Sequence, residues 1–500
     1  MASPKIISQR TKSRQKTTVA SFWRPFEQPL FRDLWIASLA SNIGTWMHEA
    51  GAAWLMTSLT SSPTLIALMQ TATTLPIFFV ALPAGALADA VDRRRILLAT
   101  QTLMFVAAAM LSGVTFFGAT TPWLLLGLTF ALGAGAAVNS PAWQAATAEL
   151  VPEKDLPTAV TVTGMGLKLA RAVGPALGGL IIALSSPWVV FLLNAVSFLG
   201  VIAVLRTWRH DARENGVKPK TVPSSVRAGI RYARHAPALR NVLVRTALFV
   251  PFASALWALL PLVARHELRL DSVRYGMFFG LLGGGAVLGA AFLPAMRRRL
   301  SMDSQAAGAS VLFAIMTAGL TGVRTFAGLC FMLMVAGAAW IALMTSFNVA
   351  VQMAAPLRAR ARAVAAYLLV FHGSMAAGSV LWGAVAERAG ISTALLLASA
   401  GIVAGLAALG RYPLRANEKM KSALSIRLPE SIVAVKPKRN HDAVLIVDRY
   451  PDSDGQALEF TGAAQEMRHQ PYATLRKRSP SALHRDGTDT WKPSGSPLNP

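Results

Sequence analysis

The chain has 500 residues, 53% of them hydrophobic and only 15% charged, with a mean hydropathy of +0.45. Soluble domains carry about 25% charged residues, so an ordinary water-soluble globule is excluded. The net charge of +25 marks either a nucleic-acid binder or the inner face of a membrane protein. The positions of the cations decide which.

Residues 1–33 form a basic segment with Lys5, Arg10, Lys12, Arg14 and Lys16. The apolar span that follows, near 34–58, is too long for a signal-peptide core of about 7–15 residues, so it is expected to stay as an anchor. Residues 50–88, 96–148 and 325–357 contain no Asp, Glu, Lys or Arg. A core helix of a soluble protein needs a wetted polar face, whereas a membrane helix needs about 20 apolar residues. The breaks Thr60-Ser61-Ser62-Pro63, Gly118 to Pro122 and Ser185-Ser186-Pro187 divide the apolar runs. Twelve spans result, near 34–58, 64–88, 96–118, 122–148, 159–184, 187–206, 241–264, 273–296, 304–323, 326–352, 363–386 and 390–411. The fold class expected is an all-α membrane protein of twelve transmembrane helices. Residues 34–206 make one six-helix half, 207–240 a basic central loop and 241–411 the other half.

With the N-terminus inside, 31 Lys and Arg fall in inner segments and five in outer ones, Arg265, Arg269, Arg274, Arg324 and Arg388. This asymmetry places both termini in the cytoplasm. It also accounts for the charge without nucleic acid as a partner. Residues 412–500 have lost the membrane composition. Ala443 to Tyr450 reads as a strand and Ala457 to Arg468 as a helix. The Pro-, Ser- and Gly-rich sequence beyond leaves too little core, so the tail is expected to be mostly disordered.

Cys330 is the single cysteine, so no intrachain disulfide or thiolate zinc site forms. The eight histidines show no metal-ligand spacing, and neither metal nor cofactor is expected. No nucleophile–base arrangement points to an enzyme, and no G-x-x-x-x-G-K-[ST] loop points to ATP drive.

A shift of 204 residues superimposes landmarks along the chain. Gly85 falls on Gly289, Arg93-Arg94-Arg95 on Arg297-Arg298-Arg299, Gly133 on Gly337, Pro152 on Pro356, Gly174 on Gly378 and Gly179 on Gly383. A constant offset across loops and helices argues for two homologous halves around a midplane cavity, which is a transporter architecture.

Three stretches resemble the major facilitator superfamily. Gly85-Ala-Leu-Ala-Asp89-Ala-Val-Asp92-Arg93-Arg94-Arg95 resembles its G-x-L-x-D-R-x-G-R-[RK] signature, with Ala90 for the Arg and Asp92 for the second Gly. Ala170-Arg-Ala-Val-Gly174-Pro175-Ala-Leu-Gly178-Gly179 resembles the exporter signature G-x-x-x-G-P-x-x-G-G. Gly133 and Gly135 match half of R-x-x-Q-G-x-G, but Thr129 takes the Arg position, so a proton mechanism built on that Arg does not carry over. Ser41 to Met47, Pro141 to Gln144 and Gly373 to Gly378 are similar to the transmembrane secretion effector branch, which includes the enterobactin exporter group; Lys168 stands where that branch has Asn. The resemblance covers about 22–411. It implies alternating access and export of a siderophore- or drug-like small molecule across the bacterial inner membrane by a monomer, with protons as counter-ion.

Candidate residues follow. Gly174, Pro175, Gly178 and Gly179 permit close helix approach and a bend. Asp89, Arg93 and Glu149, with Gly85, read as a latch at one end, or as a topology signal alone. Glu49 is the one acidic residue of 24 near the middle of a span; there it requires a partner, water or a proton. Lys168 and Arg171, one turn apart, are partners for Glu49 or for substrate. Hydrocarbon favours the neutral carboxyl and a nearby guanidinium the carboxylate, leaving both open, as is a structural role. His48 and His372 titrate near neutrality when solvated; packing is the alternative. Other functions compatible with the sequence are an importer on the same fold and a non-transporting membrane scaffold or sensor.

Overall fold

A computed structural model describes residues 23–90, 92–208, 236–355, 360–408, 410–414, 483–485 and 491–493, with the side chains of 81–90, 361, 408, 483–485 and 491–493 outside the description. Residues 1–22, the central loop 209–235 and most of the tail, including the expected strand 443–450 and helix 457–468, lie outside the described residues. Residues 1–421 and 422–500 are separate units. In the second, Leu483–Arg485 pairs antiparallel with Trp491–Pro493.

The first unit holds twelve helices among the described residues. They are α1 (Pro29–Leu59), α2 (Pro63–Ala90), α3 (Arg93–Phe116), α4 (Pro122–Leu150), α5 (Leu156–Leu184), α6 (Pro187–Thr207), α7 (Pro237–Leu262), α8 (Ser272–Arg299), α9 (Met302–Gly319), α10 (Phe326–Met353), α11 (Arg360–Ala389) and α12 (Ile391–Gly405). Nine are long and apolar enough to cross a bilayer. The other three are α1, with Asn42, His48 and Glu49 in its middle, the 18-residue α9, and the 15-residue α12. Helix ends depart from the sequence expectation by up to about five residues at most ends. Pro29 starts α1 early, and α12 passes into a 3-10 turn, Leu406–Ala408, instead of reaching 411.

Prolines start α1, α2, α4, α6 and α7, where the missing N–H costs nothing. Thr121, Asp271 and Ser301 accept side-chain cap bonds at α4, α8 and α9. Asp92 does the same for α3, accepting from Arg94 N–H at 2.8 Å. Helix α7 continues into a π turn, Val263–Glu267. We call the end holding the α2–α3 turn basal and the opposite end apical.

Each half is held by the same contacts. In the first, α1 lies on α5, where a Cβ on Gly174 would stand 2.6 Å from that of Trp46, and one on Gly178 2.9 Å from the Met47 carbonyl oxygen. In the second, α7 lies on α11, with the Pro251 carbonyl against Gly378 and accepting from Trp382 Nε1 at 2.8 Å. Met47 and Pro251 are themselves 204 residues apart. The packing thus repeats with the sequence period.

The halves meet through α5 on α8 and α2 on α11. On the first seam a Cβ on Gly179 would collide with the Ser272 carbonyl, and one on Gly276 would stand 2.6 Å from the Pro175 oxygen. Gly283 is the last contact, against the Arg171 carbonyl. Basal to it the helices part: Lys168 continues the α8-facing stripe of α5 yet is exposed, as is Val287 on α8. Among the described residues the α5–α8 seam is closed apically and open basally.

Gly179→Val is expected to push the apical ends of α5 and α8 apart. Gly164→Val, where a Cβ meets nothing within 4 Å, should be silent. Spin-label distances across the α5–α8 seam check this; an unchanged distance in Gly179→Val would contradict it.

Candidate functional site

The closed apical seam and the splayed basal segments leave a cavity at mid-span. Its walls come from both halves: Trp46, Glu49 and Ala53 of α1, Gln70 and Thr73 of α2, Thr129 of α4, Pro175 of α5, Trp257 and Pro261 of α7, and Phe279 of α8. Trp46 and Glu49 share one face of α1, being three residues apart. The cavity holds about 50 Å³, room for a few waters and well below the ~300–1,000 Å³ of drug-sized sites. A larger ligand has to extend into the basal opening.

Glu49 is half-buried and faces this cavity. Among the described residues no basic side chain reaches it for an ion pair, so the pairing with Lys168 or Arg171 raised from sequence is not made. Arg171 still acts on it through space. Its guanidinium carbon sits 5.0 Å from the Trp46 ring centre and 5.2 Å from that of Trp257. It is therefore sandwiched between an indole of each half, with a cation–π attraction of about 0.5–2 kcal/mol per face. The Trp257 indole N–H and the buried Thr129 hydroxyl have no hydrogen-bond partner, so the cavity wall offers one donor and one hydroxyl to a ligand.

The histidines are not part of this cavity. His48 is buried against Phe191 at 4.7 Å, on the α6 side of α1, and His372 stands edge-on to Phe371 at 5.0 Å. Lys168 lies exposed at the basal opening.

At the basal end Arg93 forms an ion pair with Glu149, tying the start of α3 to the end of α4. Arg94 donates to the Leu205 and Arg206 carbonyls, both at 2.9 Å, satisfying orphan acceptors at the end of α6. Gly85 lies within α2; its surroundings and the Asp89 side chain fall outside the described residues.

Sequence reasoning missed the apical closure. The Glu387 carboxylate at the end of α11 accepts from Ser62 at 3.2 Å and from the Thr64 hydroxyl. On the other side Arg265, in the π turn after α7, lies 4.8 Å over Trp54 of α1, which stacks on Tyr275 of α8. Both contacts join the two halves. Nothing in local sequence distinguishes a helix-end Glu from a solvated one, and only the spatial neighbour across 323 residues reveals it.

Glu387→Ala and Thr64→Val are each expected to loosen the apical seam, with a double variant little worse than either. The measurement is apical thiol labelling of an introduced α2 cysteine in a Cys330→Ala background. Independent, additive increases would rule the contact out as a closure.

Residues 20–486 match the family described as transmembrane secretion effector. The multidrug efflux pump Tap of Mycolicibacterium fortuitum is 26% identical over 384 residues, covering 73% of this chain and 90% of its own. The staphyloferrin A transporter of Staphylococcus aureus is 22% identical over 280 residues, 56% of this chain and 70% of its own. Among solved structures, the nucleoside transporter NupG aligns with TM-score 0.57 at 16% identity, covering 77% of this chain and 98% of that one. A bacterial homologue of the lysosomal transporter Spinster, inward-facing and occupied, aligns with TM-score 0.59 at 12% identity over 78% and 95%. These structures share the fold. With its duplicated six-helix halves and mid-span cavity, the chain belongs to the transmembrane secretion effector family of major facilitator transporters, membrane carriers rather than enzymes.

Proposed function

We propose that this protein exports a siderophore- or drug-like small molecule from the cytoplasm by proton antiport, as a monomer in the bacterial inner membrane with both termini cytoplasmic. The observation that carries the reading is Glu49, a mid-span carboxylate that faces a cavity shared by both halves and, among the described residues, has no ion-pair partner. An intramembrane acid in that setting is a proton-carrying or cation-binding group rather than a structural one. The Lys and Arg asymmetry supports a cytoplasmic basal end, and in this reading the α5–α8 seam opens toward the cytoplasm to load substrate. Efflux and siderophore carriers among the relatives supply the substrate class, and the indoles of Trp46 and Trp257 suit a partly aromatic solute.

In this scheme substrate enters past Lys168, and the halves rock about the cavity. The Arg93–Glu149 pair helps to set the basal geometry. The buried positions of His48 and His372 against aromatic rings support packing roles for both.

Glu49→Gln keeps shape and hydrogen bonding but cannot release a proton. It should abolish substrate-induced proton flux in inverted vesicles while leaving substrate binding measurable. A Glu49→Gln protein that still exchanges substrate for protons would overturn the coupling role. Arg93→Ala and Glu149→Gln should slow transport to similar extents, and the double variant should add little; additive losses would dissolve the pair as a functional unit.

A further inference from the structure

The two halves differ at their arginine triplets. In the first half the triplet Arg93–Arg95 is balanced: Arg93 pairs with Glu149, Arg94 bonds two carbonyls and Asp92 caps the helix. The period of 204 residues replaces Asp89, Asp92 and Glu149 by Leu293, Met296 and Met353. Arg297, Arg298 and Arg299 are all exposed. Among the described residues none of them has an ion-pair or hydrogen-bond partner.

Beside them lies a second cavity of about 360 Å³, between α8 and α9 and floored by α10. Its stripe on α8 runs through Gly285, Gly289, Phe292, Met296 and Leu300, a helix length of roughly 22 Å. Phe292, Leu288 and Leu312 are exposed along its rim, so it opens sideways, toward hydrocarbon. Its origin is again a departure from the repeat. In the first half the Met104 side chain packs onto Gly135. The corresponding residues are Gly308 and Ala339, both lining the groove, and a Cβ at Gly308 would meet nothing within 4 Å.

We infer that this groove binds an anionic phospholipid of the cytoplasmic leaflet, one acyl chain lying along α8 and the phosphate on Arg297–Arg299. An apolar slot ending at unpartnered cations complements an anionic amphiphile and neither a soluble anion nor a neutral lipid. The assignment rests on the orientation proposed above and is independent of substrate and coupling.

The test is native mass spectrometry of the full-length protein in detergent, titrated with phosphatidylglycerol or with phosphatidylcholine of the same chains. One phosphatidylglycerol should be retained preferentially. Combining Arg297→Gln, Arg298→Gln and Arg299→Gln should lower its affinity roughly 100-fold, at about one surface-cation contribution each. Gly308→Met, which restores the first half's residue, should remove the advantage of long over short acyl chains. Equal retention of both lipids, or an unaltered affinity in the triple variant, would overturn the site. Short-chain phosphatidylglycerol binding wild type as tightly as the long-chain form would do so too, by reducing it to a phosphate contact, and that comparison needs no groove variant to fold.

Discussion

In a bilayer, helices gain nothing from water exclusion when they touch each other, so association depends on how closely backbones can pack. The contact of Gly179 and Gly276, where the Ser272 and Pro175 carbonyls leave no space for a side chain, is the constraint on which the site depends. It brings α5 and α8 together at one end and leaves them to diverge at the other. The crossing ends at Gly283 on the Arg171 carbonyl, which delivers the Arg171 guanidinium to the midplane between Trp46 and Trp257. A half-buried cation held by π faces leaves the nearby Glu49 carboxyl without a salt bridge among the described residues. The availability of Glu49 is thus a consequence of backbone proximity on another helix.

Duplication preserved mechanics and released chemistry. The packing of α1 on α5 and of α7 on α11 uses equivalent residues, Gly174 with Gly378 and Met47 with Pro251. The charges do not repeat: Glu49, Arg171 and the carboxylates around Arg93 have no charged equivalents in the second half. The second half has its own ion pair, Arg245 with Asp303, and Asp303 also accepts from the Leu414 N–H at 3.0 Å, anchoring the chain after α12. Each half gives the cavity one indole and one proline, while the first half alone adds the polar wall of Glu49, Gln70, Thr73 and Thr129 and the second an apolar flank with Phe279.

The helices were legible because charge-free runs and Pro-bearing turns report directly on the bilayer. The repeat was legible because glycines and arginines at a fixed offset survive divergence. The close approach of α5 was readable from Gly174, Pro175, Gly178 and Gly179, since only small residues serve there. Partnerships were less readable. Arg171 has equal sequence claims on Glu49 and on any aromatic face, and its rotamer between two indoles is set by helices far away in sequence. His48 follows Met47 and precedes Glu49, yet one helical step of about 100° turns it away from the cavity toward Phe191. Arg265 reads in sequence as an outer-loop charge and Glu387 carries no signal, because their partners, Trp54 and Thr64, lie in the opposite half.

The contacts that hold the apical end closed are individually weak. An exposed carboxylate–hydroxyl bond is screened by solvent and contributes little, and a cation–π face contributes about 0.5–2 kcal/mol. A full inversion of a two-state population takes about 5.5 kcal/mol, which no single one of them provides. Glu387 with Ser62 and Thr64 and Arg265 with Trp54 at the apical end, and Arg171 with Trp257 at mid-span, all cross between halves, so separating the halves strains them together. Collectively they bias the equilibrium toward apical closure, while each remains cheap to break. Arg171 differs from the others in position: it alone of the three adjoins the carboxylate that faces the cavity. In the proposed antiport scheme, a change in charge at Glu49, by proton or by cationic ligand, would alter the field on the Arg171 guanidinium and hence its hold on the far indole. The proposal thereby has a physical route from the midplane site to the apical seam without any further moving part.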